Sequence, residues 1–448
     1  MAVKISIIGA GSAVFSMSLI NDMVRTPGLA DSTVSLMDID KDRVDTAHLL
    51  CKRYAEERGV KLRLEKTTDR RESIKGADFV INTALAASHS RLQEGWKLAL
   101  DNGYRFGSSL HIIHDEAFWV NFYQLRLMED IVKDILELAP KAWYVMVANP
   151  VQAGTTYLTR KYPELNMVGM CHGSNGVYGV TRRLGMEREH VTFECPGVNH
   201  FVWLNKLEYK GKDALPALAK WVAEQSGEFH KTCGMCCHEG PKQVDIYRRF
   251  GRFPIGDTAT PGGGSWGWWY HVDDEADRHW KENGLEWYQG YFKGGLKGVQ
   301  WMHDRARDAS KPVTDMFPKG ESHEPMIPII EGLVTGRKRT VIVNVRNDKG
   351  YVPGVPTDYE VEVPAVVSGK GVKPQRTSPL PRAILAHLLA DRVAPVEVEL
   401  EAFAKGSRAL LVDLIMMDPW TRSREQAEKL LDGILALPYH GDMRDHYR

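Results

Sequence analysis

Two residues whose side chains bind transition metals, Cys171 and His200, each fall just after a segment with the pattern of a short β-strand. A thiolate and an imidazole together can hold a divalent transition metal and still leave positions free for substrate oxygens. Spacing alone favours a simpler interpretation, a buried cysteine and an ordinary histidine. The pair therefore predicts a metal site only if other residues support it.

Two carboxylates and one amide, which lie in turns or at the ends of predicted elements, are further candidates for a functional role. Asp257 sits in a turn after a helix-like segment, and a carboxylate in a partly desolvated cleft can act as a base. Asp115 opens a long predicted helix over Glu116 to Leu138, where the role of N-cap is favoured for an isolated Asp. Asn149 ends a predicted strand, and its amide can bind a ligand or form an ordinary Asn-Pro turn.

A dense group of thiols lies in the segment CGMCCHE and consists of Cys233, Cys236, Cys237 and His238. A structural zinc site needs four ligands in a tetrahedral array, and this segment places its candidates on one turn without a second pair. We interpret the cysteines as incidental or substrate-loop thiols, with a local metal site as the minority hypothesis.

The element that must position these residues begins at the N-terminus, with a predicted strand over Lys4 to Ile8 and a helix over Ser12 to Val24. Glycines in the intervening turn let the main chain approach a pyrophosphate. A second strand ends near Asp38, which is placed to hold ribose hydroxyls, although the third glycine of the dinucleotide motif is replaced by Val14. The residues predicted to bind the nucleotide are Gly9, Gly11, Ser12, Ala13, Val14, Phe15, Asp38, Asn82 and Thr83.

Strands and helices alternate through the first half of the chain. This alternation predicts an α/β fold with a doubly wound, Rossmann-like parallel sheet, whose ligand crevice lies at the carboxyl ends of the strands. We expect the sheet-forming region to end near Gly197, which gives a nucleotide-binding domain over 1–196 and a mixed α/β domain over 197–448 for catalysis and oligomerisation. Antiparallel strands are predicted over Arg339 to Val345 and Tyr359 to Val367, and helices over the last 70 residues.

Composition excludes several classes of partner. The 448 residues carry 58 basic and 58 acidic side chains, so no overall charge would attract nucleic acid or an anionic membrane. No apolar run reaches the ~18 residues of a membrane span, and the N-terminus enters a strand at once. Six cysteines are too few for a disulfide scaffold of this size. We expect a cytoplasmic protein, a homodimer or homotetramer.

The motifs together resemble the NAD-dependent family 4 glycoside hydrolases over essentially the whole chain. They stand in the family's order and are IGAGSAVF, VSLMDID, GADFVINTA, ANP, GMCHG, GVNHFVWLN, PIGDT, VEVPA and ALPYHGDMRDHY. The resemblance implies a lactate/malate-dehydrogenase-like fold and an NAD- and Mn²⁺-dependent enzyme, or one using another divalent transition metal. His172, directly after the cysteine, is similar to members that act on unphosphorylated α-glucosides and α-uronides.

The resemblance also implies roles. Hydride passes from C3 of the sugar to NAD, a base takes the C2 proton, the glycosidic bond breaks by elimination, water adds, and the hydride returns. Cys171 and His200 would hold the metal and Asp257 would be the base. Asp115 and His172 would handle the remaining protons, and Asn149 and His172 would contact the sugar.

One departure from the family pattern concerns the residues after Asp257. The α-glucosidase-like relatives follow Gly-Asp-Thr with Val-Arg, whereas this chain has no arginine there and continues into Gly262-Gly263-Gly264. The preferred sugar can therefore differ from theirs. Two alternatives remain open, a 2-hydroxy-acid dehydrogenase, which would turn over NAD, and an inactive nucleotide-binding sensor.

Overall fold

The computed structural model describes residues 2–12, 14–107, 109–317, 319–320 and 325–448, and only the backbone of Val14. Ala13, which the sequence predicts to contact the nucleotide, lies outside the described residues, and so does the side chain of Val14.

Strands of the described residues form one large mixed sheet and one small antiparallel sheet. In chain order they are β1 (Lys4–Ile8), β2 (Thr33–Met37), β3 (Arg63–Thr67), β4 (Phe79–Asn82), β5 (Trp143–Met146), β6 (Met167–Gly169), β7 (Val191–Glu194), β8 (Gly197–Val198), β9 (Phe201–Leu204), β10 (Lys206–Tyr209), β11 (Lys212–Asp213), β12 (Phe253–Ile255), β13 (Arg339–Arg346), β14 (Glu360–Ser368) and β15 (Gly371–Pro374). The small sheet has the order β11-β10-β7, and the remaining strands belong to the large one.

Helices of the described residues pack against the large sheet and against one another. In chain order they are α1 (Val14–Val24), α2 (Lys41–Glu57), α3 (Arg70–Ile74), α4 (His89–Asp101), α5 (Phe118–Leu138), α6 (Val151–Lys161), α7 (Val177–Arg183), α8 (Leu215–Glu224), α9 (Ser226–Thr232), α10 (Pro241–Phe250), α11 (Asp274–His279), α12 (Gly284–Arg307), α13 (Met326–Thr335), α14 (Arg382–Leu388), α15 (Ala394–Lys405), α16 (Arg408–Met416), α17 (Arg424–Leu435) and α18 (Gly441–His446). None of the helices within the described ranges is long and apolar enough to cross a membrane.

The first six strands run parallel in the order β3-β2-β1-β4-β5-β6. This is the order of a doubly wound dinucleotide-binding sheet, so the prediction of an α/β, Rossmann-like fold is confirmed. β1 is central in this half and is covered on both faces, because Ile5 and Ile7 on one side and Ile8 on the other are all buried.

The large sheet does not end near Gly197, and that expectation was wrong. β13 returns from the second half of the chain and pairs antiparallel with β6, through Asn344 opposite Gly169. β14 pairs with β13 over eight positions, and β8, β9 and β12 extend the sheet beyond it. The predicted antiparallel strands are thus confirmed, but they continue the first sheet. The domain boundary at residues 196 and 197 remains a prediction.

The long helix α5 begins two residues later than predicted. Its N-cap is Ala117, so the expectation that Asp115 caps it was wrong. The Asp115 carboxylate instead contacts His114 and Asn149. The predicted C-terminal helices are confirmed as α14 to α17, and their buried leucines and isoleucines belong to the main hydrophobic core.

Candidate active site

Two glycines close the turn after β1. Gly9 has a φ of 89°, and a Cβ on it would lie 2.5 Å from the Cα of Ala84, so only glycine fits. The N–H of Gly11 donates to Oδ2 of Asp38 at 2.8 Å, and a Cβ on Gly11 would lie 2.6 Å from the same oxygen. The Asp38 carboxylate, just after β2, therefore packs directly against the turn.

Three of the other residues predicted to bind the nucleotide already have partners within the protein, and one does not. The Asn82 amide donates to the Tyr144 hydroxyl at 3.0 Å, and the Thr83 hydroxyl donates to backbone carbonyls of the glycine turn at 3.2 Å. Phe15 packs against the core. The Ser12 hydroxyl is buried without a partner among the described residues, two positions before the start of α1. An unpartnered donor beside a glycine turn and a helix start fits a bound pyrophosphate.

Cys171, His200 and Asp257 come together from three distant segments. Cys171 follows β6, His200 lies in the turn between β8 and β9, and Asp257 follows β12. One ligand atom from each residue lies within 4.8 Å of the other two. A thiolate, an imidazole and a carboxylate converging in this way fit a divalent transition metal with open positions.

Glu116 determines which nitrogen of His200 faces this cluster. The Nδ1 of His200 lies 3.1 Å from Oε1 of Glu116, and its Nε2 lies 3.9 Å from Oδ2 of Asp257. Both His200 and Glu116 are buried. A carboxylate on one imidazole nitrogen orients the other nitrogen toward a metal, which is the usual arrangement behind a histidine ligand.

The charges of this cluster shift its pKa values. Burial works to lower the pKa of His200, but contacts with Cys171 and Glu116 outweigh it and raise that pKa well above its ordinary value. Burial raises the pKa of the Cys171 thiol, and His200 counteracts part of that rise. His200 therefore offsets only part of the cost of a buried Cys171 thiolate, and a divalent cation bound to the sulfur would favour that form.

The glycine tract that follows Asp257 wraps around that residue. Asp257 lies in a short 3-10 helix over Gly256–Ala259. A Cβ on Gly262 would lie 2.8 Å from Oδ1 of Asp257, and a Cβ on Gly263 would lie 1.6 Å from its backbone oxygen. Larger side chains at these two positions would displace the Asp257 carboxylate.

Asp115 lies next to the cluster and contacts Asn149, which was predicted with it, and His114, which was not. Its Oδ1 lies 2.7 Å from Nδ1 of His114, and Asn149 Nδ2 donates to its Oδ2 at 3.4 Å. Burial works to raise the pKa of Asp115, but His114, His200 and Asn149 outweigh it and lower that pKa below its ordinary value. Asp115 is therefore a carboxylate at neutral pH.

Two further carboxylates lie beneath the cluster, on β14. Glu360 and Glu362 are buried, and Asn199 donates to both, from its backbone N–H at 3.2 Å and its Nδ2 at 3.3 Å. Burial raises the pKa of Glu362 to about 7 and that of Glu360 well above its ordinary value. These groups hold the loop that carries His200.

The remaining sequence candidates lie farther out. His172 is exposed beside Cys171. Cys233, Cys236 and Cys237 are half-buried free thiols, and they do not belong to either group of three or more potential metal ligands found within the described residues. Those two groups are the cluster above and the run His114, Asp115 and Glu116.

Sequence reasoning missed the residues that support the predicted ligands. His114 and Glu116 flank Asp115, and that run of three titratable side chains was the available signal. Glu360 and Glu362 alternate with valines, a pattern that indicates a half-exposed strand. Groups packed on the face of β14 bury them, among them Asn199 from the turn between β8 and β9.

Two family models match this chain in succession. The first, described as "Family 4 glycosyl hydrolase", matches residues 4–187, and the second, described as "Family 4 glycosyl hydrolase C-terminal domain", matches residues 195–421. An alpha-glucosidase of Erwinia rhapontici is 26% identical, with 97% of this chain and 98% of that protein covered. An alpha-galacturonidase of Thermoanaerobacterium saccharolyticum is 25% identical, with 97% and 95% covered.

Solved structures share the fold. A 6-phospho-alpha-glucosidase from gut microorganisms, in complex with NAD and Mn²⁺, superposes with a TM-score of 0.78 at 19% identity, and 98% of each chain is covered. A malate dehydrogenase from Plasmodium falciparum gives a TM-score of 0.50 at 13% identity, with 90% of this chain and 98% of that chain covered.

Proposed function

Because this chain belongs to family 4 of the glycosyl hydrolases, we propose that it hydrolyses the glycosidic bond of an unphosphorylated α-glucoside or α-uronide. The observation that carries the proposal is the convergence of Cys171, His200 and Asp257 within 4.8 Å. Such a set combines two metal ligands with a carboxylate positioned to act as a base.

The residues present fit both cofactors that the proposal requires. Gly9, Gly11, Ser12 and Asp38 would hold NAD, and Cys171 and His200 would hold Mn²⁺ or another divalent transition metal. When bound, NAD would take up and return the hydride of C3, and the metal would polarise the oxygens of C2 and C3.

The chain's own side chains then have distinct tasks. Asp257 takes the proton from C2, because its carboxylate faces the metal ligands and is fixed by the glycine tract. Asp115, ionised and paired with His114, accepts the proton of the C3 hydroxyl. Asn149 bonds to Asp115 and presents the rest of its amide to the sugar. His172 is exposed at the mouth of the site and exchanges protons with water.

Relatives support an unphosphorylated substrate. The two curated relatives above carry the names alpha-glucosidase and alpha-galacturonidase, and the Cys171-His172-Gly173 motif resembles the one expected of members with such substrates. The missing arginine after Asp257 supports a sugar different from that of the α-glucosidase-like members. The dehydrogenase hypothesis shares the fold of the malate dehydrogenase but not the family.

The test is a panel of 4-nitrophenyl α- and β-glycosides and uronides, assayed in D₂O with NAD, Mn²⁺ and a thiol reductant. We expect release of 4-nitrophenol without accumulation of NADH, and deuterium at C2 of the sugar product. An active enzyme whose product carries no deuterium at C2 would exclude the elimination route, since a glycosidase using an oxocarbenium ion leaves C2–H intact. Net NADH would favour the dehydrogenase.

A matched pair of variants locates the base. Asp257→Ala is expected to lose on the order of 10²–10⁴-fold in turnover while NAD and Mn²⁺ still bind. The control, Asp245→Ala, removes a carboxylate of similar exposure, which bonds to Arg249 and Tyr270 instead. Equal losses in both variants would contradict the assignment.

A further inference from the structure

Tyr288 is a residue of α12 whose side chain reaches the candidate active site. Its ring is buried and packs edge-on against His114, with centroids 5.8 Å apart at 85°. Trp96 and Phe106 enclose the ring on other sides, at centroid distances of 5.0 and 6.0 Å. This aromatic packing fixes the direction of the hydroxyl.

The Tyr288 hydroxyl is a donor without a fixed acceptor. It is buried next to the backbone N–H of Asp115 and has no side-chain hydrogen-bond partner among the described residues. Burial raises its pKa well above the ordinary value, and the charges of Asp115, Asp257 and Glu116 raise it further, so the phenol keeps its proton. An unpaired buried hydroxyl costs free energy unless a ligand pairs with it.

The two imidazoles around the site already face acceptors. His114 Nε2 lies 2.8 Å from the carbonyl oxygen of Gly262, and His200 Nδ1 faces Glu116. Asp115 is ionised and can only accept. Tyr288 is therefore, beside the second N–H of the Asn149 amide, a neutral donor that these residues leave available to a substrate oxygen.

The same helix leads from Tyr288 out to solvent. Trp287 and Tyr291 stack in parallel, with centroids 5.4 Å apart at 3°, and the Tyr291 side chain is 57% exposed. They line an open cavity of about 440 Å³ together with Met235 and Asn283. Trp287 also packs edge-on against Tyr288, with centroids 4.9 Å apart at 89°, so this platform adjoins the Tyr288 ring. An exposed stacked pair suits an aryl or sugar ring.

We propose that the aglycone lies along Trp287 and Tyr291, and that the Tyr288 hydroxyl donates a hydrogen bond to the glycosidic oxygen as it departs. This inference rests on the proposed function. In the elimination from the 3-keto sugar, Asp257 takes the C2 proton, the C2–H electron pair forms the C1–C2 double bond, and the C1–O electron pair goes to the departing oxygen. That oxygen then takes a proton from water in the open cavity, and Tyr288 keeps its own.

The test uses Tyr288→Phe, which removes only an unpartnered hydroxyl and should leave folding intact. Rates are measured for α-glycosides whose leaving groups range from 4-nitrophenol to an aliphatic alcohol, and substrate is recovered from D₂O part-way through reaction. The control is Tyr104→Phe, which also loses a buried hydroxyl, one that pairs with Thr421 instead.

We expect kcat/KM of Tyr288→Phe to fall on the order of 10²–10³-fold for the poorest leaving group, as for loss of one donor to a developing oxyanion. The loss should be smaller for 4-nitrophenol, which leaves without help. Recovered substrate should gain deuterium at C2, because proton return then outpaces cleavage, whereas Tyr104→Phe should resemble the wild type.

Losses equal across all leaving groups, or unchanged rates, would overturn the role of Tyr288. Absence of C2 deuterium in the product of the wild-type enzyme would instead overturn the proposed function, and the role of Tyr288 with it. The two failures are thus distinguishable, since wild-type exchange with an unaffected Tyr288→Phe variant rejects only the inference about this residue.

Discussion

Removal of the Glu116 carboxylate should weaken metal binding although Glu116 is not itself a proposed ligand. Its Oε1 lies 3.1 Å from Nδ1 of His200, and the two side chains are 2% and 5% exposed. Loss of such a supporting carboxylate typically costs 10–100-fold in metal affinity, or about 1.4–2.8 kcal/mol. Glu116→Gln keeps an oxygen that can accept from Nδ1 and loses only the charge, so we expect about tenfold. Glu116→Ala loses both and should approach about 100-fold.

The assay is calorimetric titration of Mn²⁺ into the reduced, metal-free protein at fixed pH, with NAD present. Glu399→Gln is the matched control, because Glu399 is equally buried and contacts another imidazole, Nδ1 of His111, at 2.8 Å. It should lose stability to a similar degree and keep the wild-type affinity for Mn²⁺.

Two results would refute this reasoning. Wild-type affinity in Glu116→Ala would mean that His200 either is not a ligand or is oriented by other groups. An equal loss of affinity in Glu399→Gln would mean that general destabilisation, and not the orientation of one imidazole, explains the effect.

Two further predictions concern the nucleotide and the stability of the parallel half. Asp38→Ala should weaken NAD binding by roughly 10–100-fold, because charge-assisted hydrogen bonds to the ribose are lost. In fluorescence titrations, the wild type should bind NADP more weakly than NAD, and the variant should lose this preference. Tighter binding of NADP than of NAD by the unmodified protein would contradict this prediction. Burial works against the charge of Glu129, but hydrogen bonds from Tyr157 and Lys161 outweigh it and lower its pKa from 4.5 to about 2. This stabilisation is complete above pH ~4.5 and is lost as the pH falls through ~2, so Glu129→Gln should lower the free energy of unfolding by about 2–3 kcal/mol at pH 7, with a smaller difference at pH 3 in urea titrations.

The fold of the first half could be predicted because each of its signals is local. A strand covered on both faces requires a continuous apolar run, as in β1. Position 9 requires a glycine because its φ is positive and because a Cβ there would strike Ala84. The continuation of the sheet through β13 and β14 could not be predicted this way. Pairing of Asn344 with Gly169 joins residues 175 positions apart, and no local pattern encodes that partner.

In the candidate site, too, the identities of residues could be predicted from local motifs, and their spatial arrangement could not. Cys171, His200 and Asp257 stand in recognisable motifs, so the sequence could name them. Their mutual distances depend on three separate segments meeting, and so does the position of Glu116 behind His200. Tyr288 lies in a helix whose sequence signals only core packing, because a buried tyrosine and a substrate-facing one look the same until the acceptors around the hydroxyl are known.

The tract after Asp257 presents main-chain acceptors at the candidate site. The carbonyl oxygen of Gly262 lies 2.8 Å from Nε2 of His114, and that of Gly263 accepts from the buried Arg392 at 3.0 Å. A long side chain at either glycine would strike Asp257, as the Cβ distances of 2.8 and 1.6 Å require. The carboxylate that we propose as the base is therefore held by main chain on one side.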